Sequence, residues 1–493
     1  MNVKPEVDRF DVEAVNSKEK RSDYAARVKI FPKRVSGTFR SLKWWIMAIT
    51  LGIYYITPWL RWDRGEFAPD QAVLVDMANR RFYFFFIQIW PQEFYYIAGL
   101  LVMAGIGLFL VTSTVGRAWC GYTCPQTVWV DLYLVVERWI EGDRNARIKL
   151  DKASWSGDKI VKRVSKHIIW LVIAILTGGA WIFYFADAPT LLKNLVTGQA
   201  PFIAYSTVAV LTATTYIFAG FMREQVCTYM CPWPRIQGAM LDEDSLVVTY
   251  NDWRGEPRSR HQKKAAKEGL SVGDCVDCNA CVAVCPQGID IRDGQQLECI
   301  TCALCIDACD NVMDKVGKPQ GLISYATLRD YNSNASGTPA PTTWRSFIRP
   351  RTFIYTGVFA LIGFAMLFVL VTRDRMGINV LHDRNPLFVK LSDGSIRNGY
   401  TVKILNMELR PRTFNIALDG FEGATMTMAG SDVSPTRELT VEVDADKLRT
   451  LKIYVTAPVD KLQGESTPFV FIATDKEGRE SSDYDASFKA PDK

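Results

Sequence analysis

Eight of the twelve cysteines in this chain fall into two copies of one spacing, C-x2-C-x2-C-x3-C. The first copy is Cys275, Cys278, Cys281 and Cys285; the second is Cys299, Cys302, Cys305 and Cys309. A cubane iron–sulfur cluster takes thiolates at its corners. Such a run supplies three from one tight loop, while its fourth cysteine serves the neighbouring cluster. The spacing predicts crossed ligation, with Cys275, Cys278, Cys281 and Cys309 around one 4Fe-4S cluster and Cys299, Cys302, Cys305 and Cys285 around the other. Pro286 follows the first run and Asp310 the second, a departure that leaves every thiol in place. Structural zinc sites use cysteines as two separated pairs, not four within eleven residues. The chemistry on offer is electron transfer.

The remaining four cysteines form Trp119-Cys120-Gly-Tyr-Thr-Cys124-Pro125 and Val226-Cys227-Thr-Tyr-Met-Cys231-Pro232, which share C-x-Y-x-C-P. Proline suits the first position of a helix and disfavours helix in the residue before it. Cys124 and Cys231 are therefore expected to cap following helices, with Cys120 and Cys227 one turn back. A helix N terminus lowers a thiol's pKa. Two thiolates per motif, with Met230, suit a soft ion such as Cu(I). The bland alternative is buried, unreactive cysteine at helix ends.

These residues must be positioned by a chain of two characters. Mean hydropathy is near zero although 23% of residues are charged, so apolar runs alternate with polar regions. Five segments are long and apolar enough to span a bilayer, at 44–60, 94–115, 168–186, 202–222 and 351–372. Phe82–Trp90 is aromatic but short, and is expected to lie in the interface or re-enter. The first 43 residues are polar and basic and do not read as a removable signal peptide. Eleven Lys/Arg residues lie between Lys4 and Lys43, and ten lie in the 116–167 loop, against only Lys193 in the 187–201 loop. The bias places the N terminus and the cluster region in the cytosol and the C-terminal part outside. Thiolates need a reducing compartment, an independent argument for the same sidedness. Both C-x3-C-P motifs follow outward-to-inward spans, a weak sign of a repeated two-span unit.

The expected fold is multi-domain. A cytosolic arm at 1–43 precedes an α-helical polytopic membrane domain at 44–222. A cytosolic region at 223–349 carries the second C-x3-C-P motif and an inserted, ferredoxin-like α+β domain. The fifth span at 350–372 leads to an extracytoplasmic domain at 373–493. There, alternating runs such as Tyr400–Leu405, Thr413–Leu418, Leu439–Val443, Leu451–Val455 and Phe469–Ala473 predict an all-β immunoglobulin-like sandwich. No cysteine lies beyond Cys309, so that sandwich has no inter-sheet disulfide. With so little reactive chemistry, it is expected to be a docking or structural module, not a catalytic one. The only histidines, His167, His261 and His382, fall outside the expected spans, which argues against a membrane haem pair. No Gly-rich nucleotide loop or flavin fingerprint is visible, and the charge pattern gives no reason to expect nucleic acid.

Pro58-Trp-Leu-Arg-Trp62, Gly116-Arg-Ala-Trp-Cys-Gly-Tyr-Thr-Cys-Pro-Gln-Thr127, Glu137-Arg-Trp-Ile-Glu-Gly-Asp-Arg144, the second C-x3-C-P motif and the paired cluster runs together resemble the CcoG/FixG/RdxA family. These are accessory proteins for assembly of a haem–copper cytochrome c oxidase in the bacterial inner membrane. The resemblance implies reduction of Cu(II) to Cu(I), with Cys120, Cys124, Cys227 and Cys231 as the copper-reducing site. It implies copper chaperones or oxidase assembly factors as partners. The electron donor and oligomeric state, a homo-oligomer included, do not follow from it. Three classes of function stay open: a metal reductase, an electron conduit from a quinol or soluble donor to a partner redox protein, and an assembly scaffold.

Overall fold

Helix α1 (Thr38–Ile56) begins at a glycine that cannot cap it through a side chain. Asp307, far along the chain, supplies the missing acceptor. Its carboxylate takes the amides of Phe39 at 3.1 Å and Arg40 at 2.7 Å. A Cβ on Gly37 would stand 2.3 Å from the Asp307 Cγ, so glycine is what admits the carboxylate. The computed structural model describes residues 7–16, 28–338, 347–431, 434–462, 464–477 and 480–491. Part of the basic N-terminal arm, 1–6 and 17–27, lies outside the described residues.

The chain forms two compact units. The first comprises Met1–Trp59, Val73–Met77 and Phe94–Phe364. It contains α1, α2 (Tyr95–Val115), α3 (Pro125–Glu141), α4 (Arg144–Lys152), α5 (Gly157–Thr177), α6 (Ala188–Thr197), α7 (Phe202–Tyr216) and α8 (Trp233–Met240). Among the described residues four helical stretches are long and apolar enough to cross a membrane: Pro91–Val115, Gly157–Tyr184, Phe202–Met222 and Pro350–Thr372. The first expected span is not among them. Helix α1 opens with Arg40 and Lys43, both buried against Asp131 of α3 at 3.1 and 2.9 Å, which shortens its apolar stretch.

The cluster region is an α+β arrangement built on the two cysteine runs. Short helices Ala280–Val284 and Leu304–Val316 pack together, and strand Val247–Tyr250 pairs antiparallel with Ile323–Ala326. The arm is laid across this domain. Phe10 donates its amide to Cys278 O at 3.0 Å, Val15 to Gly288 O at 2.8 Å, and Lys33 to Ala283 O at 2.8 Å. Val7, Phe10, Val12 and Val35 pack on the same core as the cluster cysteines.

The second unit joins Ala365–Lys493 to Leu60–Ala72 and Ala78–Glu93. One sheet runs Thr425–Met428, Lys447–Ala457, Ile396–Asn406, Met376–His382, with Val389–Lys390 added on Ile396–Asn406. The other runs Glu438–Val443, Arg412–Asp419, Ser466–Asp475, Ser481–Lys489. Alternate residues, among them Tyr400, Val402, Phe414, Ile453 and Phe471, fill the space between the sheets, as two-residue periodicity dictates. Every expected strand is present, lengthened at its ends. Phe82–Trp90 forms most of an antiparallel hairpin, Arg81–Phe84 with Ile87–Ile89. Arg81 pairs with Asp446, and the amide of Gln88 donates to the same carboxylate at 2.7 Å. His382 bonds Asn398 at 2.7 Å and packs on Tyr400, a structural role.

Candidate functional site

The two cysteine runs fold identically. Asp277 and Asn279 in the first, and Thr301 and Ala303 in the second, occupy the left-handed region, with φ of 47°, 58°, 56° and 59°. These are the residues two and four places after the first cysteine of each run. Non-glycine residues adopt this conformation at a cost, and here it turns successive thiols toward one centre. Cys275, Cys278, Cys281 and Cys309 line one small cavity. Cys285, Cys299, Cys302 and Cys305, with Cys281 at the border, line the other. The partition is the crossed one. The donor sets fit two 4Fe-4S clusters, with four soft sulfurs on each apolar cavity. Among the described residues no three Cys, His, Asp or Glu side chains gather closely enough to hold a single ion. Where the second run has Asp310 in place of proline, the Asp310 carboxylate accepts the Gly321 amide at 2.9 Å and closes the returning loop.

The C-x3-C-P motifs also repeat at the backbone level. Each follows a residue with positive φ, Gly116 at 62° and Arg223 at 44°, four positions before its first cysteine. Each is a π-helical turn, Trp119–Thr123 and Val226–Met230. Each is closed by an amide reaching back five residues, Cys124 to Trp119 O at 2.9 Å and Cys231 to Val226 O at 2.8 Å. Pro125 then starts α3, with Cys124 at its N-cap, whereas α8 starts one residue later, after Pro232. The helices exchange partners across the pair. Helix α2, before the first motif, packs on α8 after the second; α3, after the first, packs on Ile217–Met222 before the second. This exchange brings the two motifs within electrostatic reach of each other, although no three of their thiols are placed to close on a single ion. Cys124 and Cys231 act electrostatically on Cys120, and Cys120, Cys124 and Cys231 on Cys227.

The thiols are not uniformly acidic as expected. Burial pushes Cys120 up to about 11 and Cys227 up to about 12, and neighbouring sulfurs reinforce the effect. Cys120 donates to Gln237 Oε1 at 3.0 Å, and Gln237 in turn reaches Thr112 on α2. Thr127 holds the Cys120 carbonyl at 2.6 Å. Cys120 is buried, the other three are half-buried, and Met230 beside Cys231 is exposed.

The first motif lies directly against the second cluster loop. A Cβ on Gly121 would meet Ile300 O at 2.7 Å and the Cys302 backbone at 3.1 Å. Tyr122 donates to Cys302 O at 3.3 Å, and Tyr325 to Thr301 O at 2.7 Å. Arg117, unnoticed as a functional residue in the sequence, is 4% exposed, and its Nη1 bonds Leu297 O. Its charge acts on Cys120, Cys227 and Cys299, and its Nε is buried without a hydrogen-bond partner. One guanidinium thus serves both sulfur groups. Its place next to Gly116, in a motif already notable, was the available signal.

Behind the motifs stands a buried ion network from the Glu137–Arg144 segment. Glu137 pairs with Arg223 at 2.6 Å, Arg147 at 2.8 Å and Lys166 at 3.6 Å. Burial alone would raise its carboxyl, but Arg223, then Arg147 and Lys166, hold it down to about 2. Arg223 is the positive-φ residue before Cys227, so the network fixes the second motif's entry.

Family profiles agree with this division. A 4Fe-4S dicluster domain matches residues 222–328, a 4Fe-4S binding domain matches 97–142, and an IG-like fold at the C-terminal of FixG matches 366–491. The chain is 62% identical to the nitrogen fixation protein FixG of Rhizobium meliloti (strain 1021), over 99% of this chain and 98% of that protein. It is 54% identical to protein RdxA of Cereibacter sphaeroides, over 88% of this chain and 90% of that one. Protein RdxB of the same organism is 56% identical, over 90% and 91%.

Proposed function

Because this chain belongs to the FixG/RdxA family of membrane iron–sulfur proteins, we propose that it reduces Cu(II) to Cu(I) at Cys120, Cys124, Cys227 and Cys231 for copper-centre assembly of a haem–copper oxidase. Cys275, Cys278, Cys281 and Cys309 would hold one 4Fe-4S cluster, and Cys299, Cys302, Cys305 and Cys285 the other. When bound, such clusters supply single electrons at low potential. The observation that carries the reading is the contact of Gly121 and Tyr122 with the Ile300–Cys302 loop.

The thiols bind copper and, being soft, favour the reduced ion. Burial of Cys120 and Cys227 disfavours free thiolate, and the Arg117 charge beside them opposes that effect. Met230 and half-buried Cys231 receive the ion, and Cys120 anchors the inner wall through Gln237. In this reading α1 is a fifth span, the cluster region faces the cytosol of a bacterial inner membrane and the sandwich lies outside, where it docks assembly partners.

The test is a Cu(II)-reduction assay on the purified, cluster-loaded protein with dithionite as reductant and a Cu(I)-specific chelator. A rate above that of reductant alone, lost in Cys124→Ser and Cys231→Ser, supports the reading; equal rates in those variants refute it. A second reading follows from the 4Fe-4S match at 97–142, which contains Cys120 and Cys124. There the four thiols hold a third cluster, and anaerobic analysis finds about twelve irons instead of about eight.

A further inference from the structure

A groove on the flank of α5 and α7 holds a paired histidine and tyrosine that the copper chemistry does not use. It is lined by Trp155, Arg163, His167, Leu171 and Tyr216, with Ile168 beside them. His167 Nδ1 and Tyr216 Oη are 2.9 Å apart. His167 lies where the charged first half of α5 gives way to its apolar half, at the boundary between headgroup and hydrocarbon depth. The apolar side chains continue from there along the helix, with Ile168 57% and Leu171 44% exposed.

We propose that this groove binds a membrane quinol and oxidises it, so supplying the electrons for copper reduction; the inference rests on the reductase reading and names its donor. The occupant must be amphiphilic, with a hydrogen-bonding head at His167 and an apolar tail along Leu171. A phospholipid head is disfavoured because the groove's cation is already neutralised. Arg163 pairs with Glu141 at 3.1 Å and Asp151 at 2.8 Å. A quinol head instead needs a base and a polar neighbour. With Nδ1–H donating to Tyr216 Oη, His167 Nε2 is the base.

The reaction balances as QH2 + 2 Cu(II) → Q + 2 Cu(I) + 2 H⁺. Each O–H bond of the quinol breaks in turn; its proton passes to His167 Nε2 and on to water at the exposed Trp155 end, which resets the base. The electrons leave through the ring wall. His167 stacks on Phe221 at 5.7 Å with planes 12° apart, and Phe221 meets Trp170 edge-on at 6.4 Å. Phe221 belongs to the π-helical turn Ile217–Met222, six residues before Cys227, and Arg223 lies over Trp170 at 5.4 Å. The groove wall and the second copper motif are therefore one continuous segment. π-helical insertions of this kind recur at functional sites.

The full-length, cluster-loaded protein in phospholipid nanodiscs is given duroquinol, with Cu(II) plus chelator or a one-electron dye as acceptor. Menadione binding is read separately by quenching of tryptophan fluorescence. Wild type is expected to oxidise the quinol with either acceptor. His167→Ala should slow oxidation by about 100-fold, the loss of a positioned base, and Tyr216→Phe, which removes only a hydroxyl, should slow it less. Quenching should weaken in His167→Ala. Dithionite-driven copper reduction is the control. Quinol oxidation at wild-type rate in both variants, or no oxidation by wild type while dithionite still drives copper reduction, overturns the proposal. So does loss of bound phospholipid in the variants with the quinol rate unchanged. Failure of the copper reading alone leaves dye-linked quinol oxidation intact, so the two failures are distinguishable.

Discussion

The ferredoxin-like runs and the C-x3-C-P motifs each bring sulfurs from separate segments near one another, but by opposite means. A cluster set takes three thiols from one seven-residue loop and a fourth from the other run, only 28 positions from the loop's last cysteine at its farthest, Cys281 to Cys309. Left-handed residues within the loop aim them. The other set takes two thiols from each of two turns whose first cysteines, Cys120 and Cys227, are 107 positions apart. Nothing local brings those turns together; the exchange of α2, α3 and α8 does. A site encoded in one loop survives changes in distant packing. One assembled by helix exchange depends on every contact that sets the helices.

The sharpest break in that comparison is Cys309→Ser. Its own run should keep its cluster, while the cluster held by Cys275, Cys278 and Cys281 is lost. Iron then falls from about eight to about four per chain in anaerobic metal analysis. Loss of the cluster held by Cys299, Cys302 and Cys305 instead would overturn the crossed assignment. Next, Cys124→Ser or Cys231→Ser should lower dithionite-driven copper reduction at least about 100-fold, since a lost ligand costs no less than a lost supporting contact. Iron content should stay at the wild-type value; a full copper rate would make these thiols structural.

Gly121→Ala tests the joint between the two sulfur groups. Its Cβ would sit 2.7 Å from Ile300 O, so the first motif or the cluster loop must move. Copper reduction should fall by about tenfold, within what a displacement of roughly 1 Å costs, while both clusters remain visible by EPR after reduction. An unchanged rate would show that the contact carries no electrons. The smallest effect concerns pH. Glu137 is held below its ordinary 4.5, at about 2. Its pairing therefore contributes fully above about pH 4.5 and is lost as pH falls toward 2. Between pH 7 and 5 the midpoint of thermal unfolding in detergent should show no contribution from Glu137. Below 4.5 it should drop, and Glu137→Gln should remove that part of the drop. An identical acid profile in the variant would place the acid lability elsewhere.

The 4Fe-4S character of the cysteine runs and the strands of the sandwich were legible because their signals are short-range: cysteine spacing within a loop and alternation within a strand. The hairpin at Arg81–Phe84 and Ile87–Ile89 was not legible as a strand pair, because its composition suits an interface as well as a sheet and its pairing partners lie far along the chain. The acidity expected of Cys120 and Cys227 came from motif geometry alone, whereas burial reverses it.

The capping of α1 by Asp307 and the arm strapped across Cys278 and Ala283 left no local trace, since each depends on a partner more than 100 positions away. The sequence by itself determined which atoms carry the chemistry, because thiol spacing and turn preferences act over a few residues of backbone. Only the tertiary structure decided that the two C-x3-C-P motifs lie near each other and that the first of them touches the Ile300–Cys302 loop. Such contacts come from helix packing, and helix packing is set by side chains from the whole unit.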